Sequence, residues 1–269
     1  MRLNGINTGR VVVKVGTSTL THQSGFINLQ KIDRLVTCLA DLHNSGKEII
    51  LVSSGAVSCG LARIGFDRVS LTPEQKQAAA AVGQCQLIDM YSRRFSDYGI
   101  TAAQMLLTRS VVDEPELRLN AGTTLELLLK QRVVPIINEN DTISTEQIRI
   151  GSNDTLAAAV AVLANADLLI NMSDVDGLYD SDPRENPGAK LIEKVTSITA
   201  KILSCAGGAG SSRGTGGMIA KLESARTVFE AGIPMVIVNG ADPLILYDVL
   251  GGDFRGTLFL PKKGRGGKK

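Results

Sequence analysis

The chain has 269 residues, of which 43% are hydrophobic and 21% charged, and this ordinary globular composition excludes a disordered or collagen-like protein. Its formal charge is +2, but the last nine residues hold five basic and no acidic side chains, so the preceding body carries 2 − 5 = −3. A negative body argues against nucleic-acid binding by the folded part. We expect one two-lobed domain over residues 1–260 and a basic flexible tail over residues 261–269.

The sequence shows no sign of membrane insertion or secretion. No apolar run reaches the ~20 residues that a membrane helix needs, and the first ten residues lack the apolar stretch of a signal peptide. The four cysteines have no metal-like spacing, so we expect reduced thiols and a soluble, cytoplasmic protein. His22 and His43 lie far from each other and from any nucleophilic motif, which argues against histidine-based hydrolysis and predicts both at the surface.

The first elements of the chain form a strand, a helix and a second strand. Residues 10–15 are a short β-branched run stopped by Gly16, and residues 28–45 place apolar side chains at helical spacing. Residues 48–53 predict a second buried strand, which completes a βαβ unit.

The alternation of helices and strands continues along the rest of the chain. Residues 73–98 and 113–131 predict helices by length and composition, and residues 101–107 predict a strand between them. Ligands of parallel α/β sheets bind beyond the carboxyl ends of strands, so a polar group that ends an apolar run indicates a candidate site. Three such runs follow, at residues 133–138, 167–172 and 234–239.

Two turns after the first two strands are candidate anion sites. In KVGTS, residues 14–18, a lysine precedes a glycine turn whose N–H groups can hold a phosphate; a merely exposed lysine is the alternative. In SSGAV, residues 53–57, the chain leads into a helix whose first N–H groups would face an anion. Capping of that helix by Ser53 or Ser54 is the alternative.

Two more clusters are richer in polar side chains. In NEND, residues 138–141, four hydrogen-bonding side chains crowd the end of an apolar strand, which favours a polar lining over a simple turn. In GSND, residues 151–154, polar groups precede an alanine-rich helix, and capping by Ser152, Asn153 or Asp154 is the alternative to ligand contact.

A second lysine motif lies near the C-terminus. In TGGMIAK, residues 215–221, glycines open a helix and Lys221 follows one turn in, over an N-terminus that can bind phosphate oxygens. Ser173 and Asp174 end another apolar run and suit a ribose or base edge. The chain contains neither a P-loop nor a G-x-G-x-x-G fingerprint.

In this order and after these strands, K-V-G-T-S, S-S-G-A-V, N-E-N-D, G-x-N-D and T-G-G-M-x-x-K resemble the amino acid kinase family over about residues 10–260. The resemblance implies an α/β fold, a three-layer αβα sandwich with a mainly parallel open sheet of about eight strands. It also implies that an N-terminal lobe, about residues 1–165, binds the amino acid and a C-terminal lobe, about residues 166–260, binds ATP.

Within the family, the motifs are most similar to those of members that phosphorylate the γ-carboxylate of L-glutamate with ATP, the first step of proline biosynthesis. By position, Lys14 and Lys221 match the catalytic lysines that contact the phosphates, and Asp154 matches the aspartate that orients them. The positions that match glutamate contacts are Ser54, Gly55, Asn138, Asp141 and Asn153. The positions that match nucleotide contacts are Lys14, Gly16, Ser173, Asp174, Thr215, Gly216, Gly217, Met218 and Lys221.

The resemblance also implies cofactors and partners. Mg²⁺ would accompany ATP, held by phosphate oxygens and water rather than by ligands of the chain. Homodimers or homotetramers, inhibition by proline, and handover of the labile acyl phosphate to a glutamate-5-semialdehyde dehydrogenase are further expectations.

Two departures from the family pattern leave alternatives open. The family commonly reads G-D-N-D where this chain has Ser152, and many members carry a C-terminal PUA domain, whereas the resemblance here is to the short form. The alternatives are a family member with a different acceptor and a catalytically weak amino-acid-sensing subunit, which Ser152 motivates.

Overall fold

The computed structural model describes residues 3, 5–66, 70–144, 151–206 and 217–261. Its strands are β1 (Arg10–Val15), β2 (Glu48–Ser53), β3 (Ala102–Leu107), β4 (Val134–Glu139), β5 (Leu168–Ser173), β6 (Lys194–Val195), β7 (Met235–Asn239) and β8 (Gly256–Phe259). They form one sheet in the order β3-β4-β2-β1-β5-β7-β8-β6, in which only β7 and β8 pair antiparallel. The predicted mainly parallel sheet of about eight strands is confirmed.

Helices cover both faces of this sheet. They are α1 (Thr17–Leu20), α2 (Leu29–Asn44), α3 (Ala56–Ile64), α4 (Pro73–Ser96), α5 (Ser110–Asp113), α6 (Pro115–Lys130), α7 (Asn153–Leu163), α8 (Ala200–Ser204), α9 (Met218–Glu230) and α10 (Ile245–Gly251). Val11 and Val13 of β1 pack into one apolar core with α2, α4 and α10, whereas Val12 packs into a second core with α6, α7 and α9. Alternate side chains of β1 thus pack into cores on opposite faces of the sheet, which confirms the three-layer sandwich.

Local capping signals explain where the helices begin. Asn28 caps α2 by accepting the N–H of Lys31, and Thr72 forms a capping box with Gln75 at the start of α4. The helix predicted over residues 113–131 is α6, which begins two residues later than predicted, and the short α5 before it had no sequence prediction. Pro115 causes the later start, because a residue before proline avoids helical torsion angles and Glu114 is extended.

Some features had no sequence prediction or were predicted wrongly. Strands β6 and β8 and helices α8 and α10 are too short to stand out as periodic segments. His22 is exposed as predicted, but His43 is only 5% exposed, because it lies on the core-facing side of α2. All four cysteines are free. Within the described ranges, no helix is both long and apolar enough to cross a membrane.

Helices α3 and α4 pack backbone against backbone. A Cβ atom on Gly83 would lie 1.8 Å from the carbonyl oxygen of Ala56, and one on Gly60 would lie 1.7 Å from that of Ala79. Only glycine permits such an approach at these two positions. The contact sets the start of α3, which directly follows the candidate turn at Ser54 and therefore helps to position it.

Candidate functional site

The carboxyl ends of β1, β2, β4 and β5 meet at one edge of the sheet and border a cleft of about 380 Å³. Parallel strands place their carboxyl ends on the same side, so motifs far apart in the sequence converge here. The predicted site residues that line the cleft are Lys14, Gly16, Ser54, Gly55, Asn138, Asp141, Asn153, Asp154, Ser173, Asp174 and Lys221.

Two lysines and one aspartate form a buried ion-pair group in this cleft. Nζ of Lys14 lies 2.8 Å from Oδ1 of Asp154, and Nζ of Lys221 lies 3.4 Å from Oδ2 of the same carboxylate. The three side chains come from β1 and from the first turns of α7 and α9, and all three are buried. The group therefore joins the sheet to two helix N-termini.

Asn171 supports the shared carboxylate from the neighbouring strand. It pairs with Lys14 across β1 and β5, and its Nδ2 donates to Oδ1 of Asp154 at 2.7 Å. Its own side-chain oxygen is buried without a hydrogen-bond partner among the residues the structure describes. Asp154 is thus held by two ammonium groups and one amide.

The electrostatics of the group favour an anion. Burial lowers the pKa of Lys14, and Lys221 lowers it further, which outweighs the opposite effect of Asp154. Burial by itself raises the pKa of Asp154, but the two lysines outweigh it and hold that pKa below its ordinary value. One ionised carboxylate between two lysines leaves a buried excess of positive charge, which a phosphate would neutralise.

A chain of amides lines the other end of the cleft. Nδ2 of Asn153 lies 2.7 Å from Oγ of Ser54, 3.0 Å from the carbonyl oxygen of Ser53 and 3.1 Å from Oδ1 of Asn138. Nδ2 of Asn138 in turn donates to Oε1 of Gln84 at 2.8 Å. These contacts tie the end of β2, the end of β4, the start of α7 and the middle of α4 together.

Ser152 occupies a position with two roles. Its Oγ accepts the N–H of Thr155 at 3.3 Å and so caps α7, as the capping alternative predicts. The same side chain also lines the cleft beside Asn153. The hydroxyl that stands where the family commonly has a carboxylate therefore still satisfies the helix start.

A second cavity of about 320 Å³ adjoins the cleft and shares Ser173, Asp174 and Lys221 with it. Gly217 and Met218, two of the predicted nucleotide contacts, line this second cavity. Two predicted residues, Thr215 and Gly216, lie outside the described residues. The buried cationic group thus lies where two separate cavities meet.

One wall of the second cavity is a finger segment, residues 176–192, that is pinched at its base. Oγ1 of the buried Thr257 accepts the N–H of Leu178 at 2.8 Å and donates to the carbonyl oxygen of Ile192 at 2.7 Å. The N–H of Ile192 also donates to the carbonyl oxygen of Leu178 at 2.7 Å. One hydroxyl on β8 therefore closes both ends of the finger segment.

Sequence reasoning assigned no role to four residues at this site. An amide inside the apolar run of β5 is a signal that could have identified Asn171, because buried polar groups need partners. Glu139 belongs to the NEND segment and is buried in the cleft lining. Gln84 and Lys76 lie on α4, and nothing in the sequence distinguishes them from its other polar residues.

An open, mainly parallel α/β sheet with a buried cationic group between two cavities is the arrangement that a phosphotransferase needs, because phosphoryl transfer depends on positioning and on neutralising charge. Solved structures with this fold include the product complex of T. acidophilum isopentenyl phosphate kinase, with a TM-score of 0.63 and 18% identity over 93% of this chain and 99% of that chain. UMP kinase from Ureaplasma parvum has a TM-score of 0.64 and 17% identity over 94% of this chain and 99% of that chain. At such identities the likeness is one of fold.

The profile of the amino acid kinase family matches residues 9–239, and the chain belongs to that family. The glutamate 5-kinase of Clostridium perfringens (strain 13 / Type A) is 48% identical over 95% of this chain and 96% of that protein. The glutamate 5-kinase of Clostridium tetani (strain Massachusetts / E88) is 50% identical over 93% of each chain. That of Moorella thermoacetica is 48% identical over 95% of this chain and 68% of that protein. The family predicted from the motifs is confirmed.

Proposed function

We propose that the chain transfers the γ-phosphoryl group of ATP to the γ-carboxylate of L-glutamate, giving γ-glutamyl phosphate and ADP in the first step of proline biosynthesis. The observation that carries the proposal is the Lys14–Asp154–Lys221 group at the junction of two cavities. Relatives named glutamate 5-kinase, 48% identical over 95% of the chain, support glutamate as the acceptor.

The chemistry needs charge and position more than it needs a base. A γ-carboxylate oxygen forms a bond to the γ-phosphorus while the bond from that phosphorus to the β–γ bridging oxygen breaks, and ADP leaves. The carboxylate is already ionised near neutral pH, so no general base has to remove a proton. Lys14 and Lys221, aimed by Asp154, supply fixed positive charge for the transferring group.

Mg²⁺ is part of the same proposal. Within the described ranges, no group of three or more His, Cys, Asp or Glu side chains could hold a metal ion, and Asp154 is shared by two lysines. These side chains fit a Mg²⁺ ion that arrives bound to the phosphates of ATP and keeps much of its water. When bound, the cation neutralises phosphate charge, while the chain contributes the two lysines.

The acceptor contacts belong to the N-terminal lobe, about residues 1–165. The carboxylate of Asp141 suits the α-ammonium group of glutamate, and the turn at Ser54 and Gly55 opens α3 and suits a carboxylate. Asn138 and Asn153 can donate or accept beside it. All five line the cleft, which supports this assignment.

The nucleotide contacts belong to the C-terminal lobe, about residues 166–260. Ser173 and Asp174 border both cavities, and Gly217 and Met218 line the second one, which supports the second cavity as the place of the nucleotide. Gly16 follows Lys14 at the phosphate end. Thr215 and Gly216 enter the proposal from the motif alone.

Assembly, regulation and location extend the proposal. Leu119 and Leu127 are 68% and 57% exposed on α6, and such apolar surface supports a homodimer or homotetramer. Free thiols support a cytoplasmic location.

An acyl phosphate is labile in water, which supports handover to a reductase, glutamate-5-semialdehyde dehydrogenase. Sedimentation equilibrium tests the assembly, and a titration with proline tests feedback inhibition.

The test of the function is release of ADP from Mg-ATP with L-glutamate, with hydroxylamine present to trap an acyl phosphate as the hydroxamate. Hydroxamate that depends on glutamate is the expected result. Turnover only with aspartate, N-acetylglutamate or UMP would keep the phosphate chemistry and replace the acceptor. Glutamate binding without turnover on any acceptor would favour the sensing subunit and identify Ser152 as the residue to change.

A further inference from the structure

We infer that Gln84 is a positioning residue for the acceptor half of the site and acts through Asn138; the inference rests on the proposed function. Gln84 lies on α4, is 9% exposed, and accepts a hydrogen bond from Nδ2 of Asn138 at 2.8 Å. It is not among the residues that line the cleft, whereas Asn138 is.

A main-chain donor determines the orientation of the Asn138 amide. The N–H of Glu139 donates to Oδ1 of Asn138 at 2.9 Å, and a main-chain N–H can only donate. The amide oxygen therefore faces Glu139, and the amide nitrogen faces Gln84. This orientation requires an acceptor at position 84, because a buried amide N–H without a partner is costly.

The amide oxygen of Asn138, oriented in this way, also accepts a hydrogen bond from Asn153. Oδ1 of Asn138 lies 3.1 Å from Nδ2 of Asn153, which also donates to Oγ of Ser54 at 2.7 Å. If the Asn138 amide turned over, its NH₂ group would face the NH₂ group of Asn153, and two donors would oppose each other. An acceptor on α4 thus keeps two proposed glutamate contacts in register.

The packing of α4 explains why its side chains reach this point. Gly83, the neighbour of Gln84, lets α4 approach the backbone of α3 closely, since a Cβ there would lie 1.8 Å from the carbonyl oxygen of Ala56. Two turns further along the same face of α4, Oη of the buried Tyr91 lies 2.8 Å from Oγ of Ser53. Helix α4 therefore supports the acceptor half of the site through two buried polar contacts.

The experiment replaces Gln84 by Met, which keeps the approximate volume and removes the acceptor. We expect the KM for glutamate to rise about tenfold and the KM for ATP to stay within about twofold, because the affected amides contact the acceptor only. Gln86→Met is the matched control: Gln86 lies on the same helix, and its side chain has no hydrogen bond among the described residues, so both KM values should stay unchanged. Gln84→Glu keeps an acceptor oxygen, so its KM for glutamate should be close to that of the unmodified chain.

A double-mutant cycle with Asn138→Ala separates positioning from a merely structural role. If Gln84 acts through Asn138, then Gln84→Met adds no further rise in the glutamate Kd, measured by calorimetry, once Asn138 is Ala. If the two substitutions instead raise the glutamate Kd independently, so that their effects multiply in the double variant, the inference is overturned. Equal rises of both KM values in Gln84→Met would also overturn it. So would a Gln84→Glu variant that is as impaired as the Met variant.

The outcomes stay distinct from those of the proposed function. Gln84→Leu replaces the methionine variant if the latter does not fold, as judged by circular dichroism. Absence of glutamate-dependent hydroxamate with the unmodified chain would contradict the proposed function. A normal glutamate KM in folded Gln84→Met would contradict only the role of Gln84.

Discussion

At the scale of single residues, we expect the proposed site to depend most on Asp154, whose one carboxylate lies between two buried lysine ammonium groups. Asp154→Asn keeps the shape and removes the charge, so the two lysines repel each other and lose their alignment. We expect kcat to fall at least about hundredfold, with a smaller change in the KM for glutamate. Steady-state release of ADP measures both parameters.

The matched control for that change is Asp89→Asn, which removes the carboxylate of an exposed ion pair with Arg93 on α4. Its kcat should stay within about twofold of that of the unmodified chain, because exposed ion pairs contribute little. An Asp154→Asn variant that keeps its kcat would show that the lysines do not need their shared partner.

His43 makes stability depend on pH. Burial lowers its pKa from the ordinary 6.5, and the nearby Arg132 lowers it further. A histidine with a lowered folded-state pKa binds fewer protons than the unfolded chain, so its contribution is complete above about pH 6.5 and is lost as the pH falls below that value. We expect His43→Gln to flatten the fall of the urea midpoint between about pH 7.5 and about pH 5.

The exposed His22 provides the control for this prediction. His22→Gln should leave the pH dependence of the urea midpoint as it is, because the His22 side chain lies exposed to solvent in the folded chain. Equal slopes in His43→Gln and the unmodified chain would mean that other groups account for the acid sensitivity.

At the scale of elements, the contact between α3 and α4 holds the proposed acceptor half of the site. Gly83→Ala would place a Cβ atom 1.8 Å from the carbonyl oxygen of Ala56, so the helices must separate. We expect the free energy of unfolding to fall by at least about 2 kcal/mol and the KM for glutamate to rise, since Ser54 and Gln84 are attached to these helices. Urea titration and initial-rate kinetics measure the two effects.

The neighbouring Val82 gives the comparison for Gly83, because it lies on the same helix with an exposed side chain. Val82→Ala should change the free energy of unfolding by no more than about 0.5 kcal/mol. A Gly83→Ala variant of normal stability would mean that α4 can shift without cost to the fold.

The finger segment is the corresponding element on the proposed nucleotide side. Thr257→Val removes the hydroxyl that closes its base and leaves the N–H of Leu178 and the carbonyl of Ile192 without this partner. We expect the KM for ATP to rise about fivefold or more while the KM for glutamate stays constant, because the finger segment borders the second cavity and not the cleft.

Thr257→Ser keeps the hydroxyl and should behave like the unmodified chain in the same initial-rate measurement. If the valine variant raised the KM for glutamate as much as that for ATP, the hydroxyl would support the whole fold rather than the nucleotide wall.

At the scale of the whole molecule, one continuous sheet carries both cavities, with β1 and β5 side by side at their junction. Each ligand should therefore stabilise the whole fold. At about 100 times its Kd, a ligand adds about 2.7 kcal/mol, so glutamate or a non-hydrolysable Mg-ATP analogue should each raise the Tm by about 5–10 °C. Differential scanning fluorimetry measures the shift.

Asp141→Ala tests the division of the site between the two cavities, because Asp141 lines only the cleft. The shift with glutamate should disappear in this variant, and the shift with the ATP analogue should remain. Loss of both shifts would show that the two halves of the site do not bind independently.

Much of the architecture was predictable because its signals are local. Strands β1 and β2 have the predicted bounds, and α2 differs by one residue at each end, since apolar runs, helical spacing and capping residues act within a few positions. The motifs also placed Lys14, Asp154 and Lys221 in one site. Thr215 and Gly216 remain predictions.

The sequence by itself determined the order of the longer strands and helices, the family, and the polar groups at the strand ends, because each depends on residues that are neighbours in the chain. The tertiary structure decided how these groups meet: that Asp154 is shared by two lysines, that His43 is buried, and that Gln84 orients Asn138. Such contacts join residues that are distant in the chain. Their geometry follows from sheet order and helix packing, which no short stretch of sequence specifies.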